Sequence, residues 1–400
     1  MHNEAHYLQQ LLNLGEQHPV AAGHAIYNRE DTLLMGAGSP IDAQALSHLT
    51  EQPLRQPLLN SLSIHDGLTQ PQLCQDIAQL LSPHAAWRAL LGPVEELPAL
   101  FPASLLAQHL TVMRTLYPAL YQRTLRGALL SLCLARQLQA SHVEHIWLAA
   151  LGRLCGQLYL PAELIGKHVS KKHLQLQLEH YPESSWLALQ HDLPGESALW
   201  LAQHQESLTG SGFPSGQQEP APLAAQLLGI GDWYALLCEL HGELSLQACR
   251  PALQMLRERW QSEVFQAFQH CAAHTAADFQ PRHSLTENRQ WLNALLNQQG
   301  QGQSRLRRLQ QQLAGMPAQR SASALMLNGL VNELLHTCAS AGLLSDEYQR
   351  WVLYVHDQRL EAASEEMHGL ELQISVLNLE MQRANHLAER LGLGQVGRYH

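Results

Sequence analysis

The chain contains few lysines, and this scarcity limits the partners that its surface can bind. Only three lysines occur among 400 residues, and the formal net charge is −10. Nucleic-acid surfaces need clustered cationic side chains, so this balance argues against a nucleic-acid partner. Lys167, Lys171 and Lys172 lie close together in the sequence. A solvated helix face explains this cluster better than a site for a phosphate or an acidic partner.

The sequence also lacks paired cysteines and long apolar runs. None of the seven cysteines belongs to a CxxC pair, which argues against a zinc ribbon and a disulfide framework. No apolar run reaches roughly 18 residues, and the N-terminus MHNEAHYLQQ is unlike a signal peptide. We therefore expect a cytoplasmic protein with reduced thiols and no membrane insertion.

The length favours two or three domains, and an apolar content of 46% is ample for a core. Two short apolar runs, at 24–27 and 32–35, predict a β-hairpin near the N-terminus. Most of the remaining sequence has helical periodicity. Glycines near 300–302 and 315–317 predict breaks between short helices.

The C-terminal region has a regular apolar spacing. From Leu360 to Leu391 the apolar or small residues recur at alternating steps of three and four. This spacing is typical of a coiled-coil seam within one helix of about 46 residues, from 346 to 391. The interpretation favoured here is a homodimer; the alternative is an amphipathic helix folded back on the chain's own core. The residues expected to stabilise the seam most are Met367, Leu370, Ile374, Leu377 and Met381.

The stretch most informative about function is 204–236, which reads HQESLTGSGFPSGQQEPAPLAAQLLGIGDWYAL. A glycine-rich loop separates His204 from a helix-like run that contains Asp232. An imidazole and a carboxylate are suitable ligands for a hydrolytic metal. A simple Gly/Pro turn beside a solvated histidine is the structural alternative.

The residue order in this stretch resembles the HD-GYP family, whose pattern is roughly HHExxDGxGYP followed by IPLxARIxxxADxYDAL. The matching residues are His204, Glu206, Gly210, Gly212, Phe213, Pro214, Pro222, Leu223 and Asp232. Gln205 stands where the family has its second metal-binding histidine. The resemblance implies an all-helical fold and, in active members, metal-dependent hydrolysis of cyclic di-GMP.

A second match shows how the family chemistry has changed. Residues 149–161, AALGRLCGQLYLP, align without a gap with the family's AALLHDIGKIGVP. Arg153 and Leu154 replace the His-Asp pair, and Gln157 replaces a phosphate-binding lysine. Arginine stays protonated and has no lone pair for a metal, and leucine has no ligand atom.

The resemblance places the other ligand positions as well. His180 matches a further family histidine, so the retained ligand positions are His180, His204 and Asp232. Arg123 occupies another histidine position, and His241 occupies that of a substrate-binding arginine. The degenerate positions are therefore Arg123, Arg153, Leu154, Gln157, Gln205 and His241. Two other His-Asp pairs, at 65–66 and 191–192, match no family ligand.

Together these features predict a mainly α protein. Its parts are an N-terminal α/β segment (1–72), a helical connector (73–104), a degenerate HD-GYP-like domain (105–280), a helical linker region (281–344) and a long C-terminal helix (345–400). We expect no catalytic residue, no metal and no cofactor. A buried Arg153 is expected to pair with Asp232 or Glu206, because an unpaired buried charge is costly.

The predicted function is regulation through protein binding, in bacterial cyclic di-GMP signalling. Loops of this kind are implicated in the family in contacts with GGDEF-domain proteins. An exposed loop, with Phe213 and Pro214 as its apolar anchor, would suit that role. The alternatives are a sensor that binds cyclic di-GMP without hydrolysis and, less favoured, an active phosphodiesterase. The sequence does not identify the partner.

Overall fold

The structure is a computed structural model. It describes residues 4–15, 17–99, 104–165, 173–216, 219–279, 289–314, 321–340, 342, 345–358, 360 and 363–393. The lysine cluster and the predicted break at 315–317 lie outside these ranges. The helices in the described ranges are α1 (Glu4–Leu14), α2 (Ala43–Thr50), α3 (Gln70–Leu80), α4 (Ala85–Leu91), α5 (Leu105–Leu116), α6 (Pro118–Gln137), α7 (Val143–Gly152), α8 (His173–Leu189), α9 (Ser197–Gln203), α10 (Leu223–His241), α11 (Leu246–Met255), α12 (Ser262–His274), α13 (Arg289–Ala314), α14 (Ala322–Ser340), α15 (Asp346–Asp357) and α16 (Ser364–Arg390).

The mainly α fold class is confirmed, and so is the small N-terminal α/β segment. The predicted hairpin forms between β2 (Ile26–Tyr27) and β3 (Leu33–Met35), which are antiparallel. A second pair joins β1 (Val20–Ala22) to β4 (Leu62–Ile64). The second pair was not predicted, because its strands are far apart in sequence and no local turn pattern connects them.

The chain divides into two compact units that alternate along the sequence. Unit 1 comprises Met1–Ser82, Gly92–Leu132 and Ser141–Ala202, and unit 2 comprises Pro83–Leu91, Cys133–Ala140 and Gln203–His400. Each unit is therefore built from three segments that are not contiguous in the sequence. The segment predicted as a connector, 73–104, contributes to both of them.

In unit 1, a short 3-10 helix at Cys155–Tyr159 packs against α1, α5 and α8. Beside it, the buried His109 ring stacks on Tyr7 at 4.4 Å, and its Nε2 lies 2.9 Å from the Tyr159 hydroxyl. The carboxylate of Asp192 accepts hydrogen bonds from the backbone N–H groups that begin α5. This acid therefore caps a helix, and the pair at 65–66 is exposed as expected.

In unit 2, α10 is a core helix. By length and composition it is the one helix of the described residues that could cross a membrane, but 78% of its apolar window is buried within the protein. Such burial is the ordinary state of a core helix in a globular unit. The cytoplasmic location stays a prediction.

The predicted helix break at 300–302 is wrong, because α13 continues through both glycines. Glycine in a helix interior costs only about 1 kcal/mol relative to alanine. α13 packs against α14 and α16. Tertiary packing of this kind routinely outweighs a local penalty of that size.

The predicted helix of about 46 residues is also interrupted. α15 ends at Asp357 and α16 begins at Ser364. α16 then packs against α11, α13 and α14 of the same chain. The central seam residues Met367, Leu370, Ile374, Leu377 and Met381 are at most 2% exposed within the monomer.

The seam is therefore not a free coiled-coil surface, and that interpretation is wrong. The chain's own helices cover it, as the fold-back alternative required. Leu372, Val376 and Glu380 are also buried, so burial extends around more of α16 than a two-helix seam would require. The homodimer stays a prediction, although these seam residues are covered within one chain.

Replacing Leu377 with alanine should destabilise unit 2 by about 2–5 kcal/mol, because the side chain is fully buried. Denaturant unfolding measures this loss, and Gln382→Ala, at an exposed position of α16, is the matched control. The wild-type thermal midpoint should not depend on protein concentration. A midpoint that rises with concentration would place the seam between two chains instead.

Candidate functional site

Within unit 1, Arg153 lies directly after α7 at the position of the family histidine. It is fully buried, and its guanidinium donates to the carbonyl oxygens of Thr124, Ala150 and Arg123, each at 2.8 Å. These bonds connect the end of α7 to the middle of α6. Arg153 thus serves as a hydrogen-bonded link between two helices, and Leu154 beside it is an apolar core residue.

The turn that follows Arg153 lies close against the backbone of α8. A Cβ on Gly156 would lie 2.1 Å from the Tyr181 carbonyl oxygen of α8, so only glycine fits there. The Ser185 hydroxyl accepts from the Gly156 N–H at 2.7 Å and donates to the Arg153 carbonyl at 2.9 Å. Gln157, in place of the phosphate-binding lysine, is buried.

Within unit 2, Gln205 contacts Asp232, which the sequence predicts as a metal-ligand position. Its side-chain amide donates to the Asp232 carboxylate at 2.8 Å, and the neighbouring His204 is buried. Close packing holds this arrangement, because a Cβ on Gly229 of α10 would lie 2.4 Å from the His204 carbonyl oxygen. The Gln205 amide thus donates to a carboxylate oxygen of Asp232 that would otherwise be a potential metal ligand.

Glu206 organises the glycine-rich loop. Its carboxylate accepts from both the N–H and the hydroxyl of Ser215, at 2.7 and 2.6 Å. The Phe213 N–H donates to the Gln205 carbonyl at 2.9 Å, which draws the loop back onto its own start. Gly212 permits this approach, since a Cβ there would lie 2.3 Å from the backbone nitrogen of Ser207.

The prediction that Phe213 is an exposed anchor is wrong, because only 4% of it is exposed. The Arg383 guanidinium of α16 lies 3.5 Å from the centre of its ring, within the range of a cation–π contact. Arg383 also donates to the Ser211 carbonyl oxygen. Pro214 is exposed as expected.

His241, in place of the family arginine, also contacts α16. Its Nε2 lies 2.8 Å from the Ser375 hydroxyl, and its Nδ1 lies 4.0 Å from Glu371. This histidine is thus engaged by the C-terminal helix. His180 belongs to α8, but its side chain lies outside the described part of the structure.

Four buried charged residues join this loop to the C-terminal helices, and sequence reasoning missed them: Arg259, Glu333, Glu380 and Arg383. Arg259 donates to Glu333 at 2.6 Å and, through two nitrogens, to Glu380 at 3.2 and 2.8 Å. Arg383 lies 3.4 Å from Glu380.

The loop enters this network through two hydroxyls, because Thr209 and Ser211 donate to Glu333 at 2.9 and 2.6 Å. Glu380 and Arg383 are three residues apart, which places them on one face of α16. This spacing could have predicted their ion pair from the sequence.

The network shifts the pKa values of Glu380 and Arg259. Burial by itself raises the pKa of Glu380, but the charges and hydrogen bonds of Arg259 and Arg383 outweigh it, so the pKa is lowered overall. Burial by itself lowers the pKa of Arg259, but Glu333 and Glu380 raise it by more. The pKa is therefore raised overall, and this residue keeps its charge. Two cations and two anions therefore compensate one another inside unit 2.

The family positions do not fit a metal centre. Arg153 offers only donors, Leu154 offers no ligand atom, and the Gln205 amide donates to Asp232. The described residues contain no group of three or more His, Cys, Asp or Glu side chains placed to hold a metal ion. In unit 1, Arg153 donates to the Arg123 carbonyl oxygen, and in unit 2, Gln205 donates to Asp232. The ion pair predicted for Arg153 stays a prediction.

Comparison with known proteins supports the family assignment at the level of the domain. Residues 106–265, from α5 to α12, match the family model of the HD domain, a family of metal-dependent phosphohydrolases. An HD domain is therefore present in this part of the chain. Neither the curated proteins nor the solved structures gave a match.

Acid should weaken unit 2 through Glu380. A carboxyl whose pKa is lowered on folding stabilises the protein above its unfolded value, about 4.3, and this contribution is lost as pH falls through the folded pKa. Unfolding midpoints between pH 7 and pH 3 should decline more steeply for the wild type than for Glu380→Gln. The variant should already be less stable at pH 7, by about 3–5 kcal/mol, since it leaves buried arginines uncompensated.

Glu389→Gln, at an exposed acid of the same helix, is the matched control and should behave as the wild type does. A wild type and a Glu380→Gln variant with parallel pH profiles would contradict the assignment of this acid sensitivity to the network.

Proposed function

We propose that this protein is a non-catalytic regulator built on an HD domain of the HD-GYP type. The observation that carries the proposal is the state of the family's ligand positions. Arg153 and Gln205 donate hydrogen bonds into the protein's own framework, and Leu154 belongs to its core. These residues stabilise the fold at the positions where a phosphodiesterase would hold its metals.

The regulatory role would be exerted through a protein partner of cyclic di-GMP signalling. A GGDEF-domain protein is the first candidate, on the resemblance of the glycine-rich loop. With Phe213 buried, the accessible surface beside this loop is an open groove of about 700 Å³ between Thr209, Gly210, Gly216 and α14. Leu325 lines this groove and is 60% exposed, so it would provide an apolar anchor.

Electrostatics make a nucleotide sensor the weaker alternative. The groove is lined by Glu258 and Glu333, and none of its described lining residues is lysine or arginine. Because no lysine or arginine is among these lining residues, the groove offers little compensation for a dianionic cyclic dinucleotide. Titration calorimetry with cyclic di-GMP separates the alternatives, because only the sensor would release or absorb heat of binding.

The purified protein, supplied with Mn²⁺ or Fe²⁺, should not hydrolyse cyclic di-GMP. The reason is the absence of ligand atoms at Arg153 and Leu154. Product formation is followed by liquid chromatography, with His204→Ala as the reference for background hydrolysis. Turnover by the wild type that disappears in His204→Ala would contradict the proposal.

Binding to purified GGDEF-domain proteins should depend on the groove. Leu325→Arg introduces a charge at the proposed apolar anchor and should weaken binding at least tenfold, or about 1.4 kcal/mol. Leu353→Arg is the control, because Leu353 is similarly exposed, at 45%, but lies on α15 and does not line the groove. Equal losses in both variants, or no binding by the wild type, would exclude this surface as the docking site.

A further inference from the structure

Two cysteines that are far apart in sequence lie against each other inside unit 2. The Sγ atoms of Cys133 in α6 and Cys271 in α12 are 3.7 Å apart, close enough for one thiol to donate a hydrogen bond to the other. Cys133 is 4% exposed and Cys271 is fully buried. The site contains no ligand set for a metal, since the described residues provide no third donor there. A pair of thiols in contact has one evident chemistry, which is disulfide formation.

We propose that Cys133 and Cys271 form a reversible redox site that a peroxide converts to a disulfide. The separation must shorten to about 2.05 Å, the usual S–S bond length. The bond would join α6 to α12 covalently, within unit 2.

Either thiol can donate in this contact, and the proposed roles follow from the arrangement in which Cys133 donates to Cys271. A hydrogen bond from the Cys133 S–H to the Cys271 sulfur stabilises the Cys271 thiolate, which lowers the pKa of Cys271. The same contact, together with burial, raises the pKa of Cys133. Because the thiolate is the nucleophile, Cys271 attacks first and Cys133 serves as the resolving thiol.

The reaction then has two balanced steps. The Cys271 thiolate attacks one peroxide oxygen, the O–O bond breaks, and hydroxide leaves, giving a sulfenic acid at Cys271. The Cys133 sulfur then attacks the Cys271 sulfur, the S–O bond breaks, and the released hydroxide takes the Cys133 proton. With hydrogen peroxide, two thiols and one peroxide give one disulfide and two waters. Hydrogen peroxide is similar in size to water, so it can reach a buried pair during local opening.

The test uses the full-length protein treated with hydrogen peroxide, then denatured, alkylated and digested for mass spectrometry. We expect one cross-linked peptide that joins Cys133 to Cys271 and is lost on treatment with dithiothreitol. Cys155 and Cys249 are the matched controls, because both are fully buried, and they should be recovered as alkylated thiols. Recovery of Cys133 and Cys271 as thiols to the same extent as these controls would overturn the proposal.

A variant distinguishes the roles of the two residues. In Cys133→Ser, the sulfenic acid at Cys271 has no resolving thiol, so dimedone should label Cys271 after oxidation. Circular dichroism establishes that this variant is folded. The oxidised wild type should also unfold several degrees above the reduced protein, whereas peroxide should not raise the midpoint of the variant. The reciprocal variant is Cys271→Ser. If dimedone labels Cys133 in this variant and labels no cysteine in Cys133→Ser, the roles are reversed and the mechanism is contradicted.

Discussion

The conformation of the glycine-rich loop depends on a buried cluster of four charges. The cluster joins three elements: Arg259 precedes α12, Glu333 belongs to α14, and Glu380 and Arg383 belong to α16. None of these charges is stable in the interior unless its partners are in place, since a buried ion left unpaired costs several kcal/mol. The loop hydroxyls complete the cluster, so loop and C-terminal helices hold one another in position. This mutual dependence explains why Phe213 lies under α16 and is not presented to a partner.

Hydrogen bonds also connect elements at two of the positions that the HD-GYP resemblance predicts to correspond to metal ligands. A metal joins elements by accepting electron pairs from several of them at once. Here, hydrogen-bond donors make comparable connections: Arg153 joins α7 to α6, and Gln205 joins the loop to Asp232 of α10. Gly156 and Gly212 allow the backbones of this framework to approach more closely than a side chain would permit. A framework held by hydrogen bonds at these positions supports the proposal that the protein acts by binding.

The sequence predicts the class of fold because helical periodicity and the hairpin signal are local features, and its resemblance to the HD-GYP family predicts the HD domain. It does not predict which surfaces are covered. The seam of α16 has the same spacing whether it faces a second chain or α11, and Phe213 reads as exposed until α16 is placed over it. The charge cluster and the Cys133–Cys271 contact were missed for the same reason. Each joins residues separated by many tens of positions, and only tertiary structure brings them together.

We propose that Arg153, Leu154 and Gln205 stabilise the fold and do not hold a metal. The most direct test of this proposal measures the metal content of protein purified without chelators, by mass spectrometry. The wild type is compared with a variant that carries Arg153→His, Leu154→Asp and Gln205→His. The account predicts far less than one metal ion per wild-type chain and a gain of bound metal in any folded form of the variant. One or more tightly bound ions per wild-type chain, lost in His204→Ala, would contradict it.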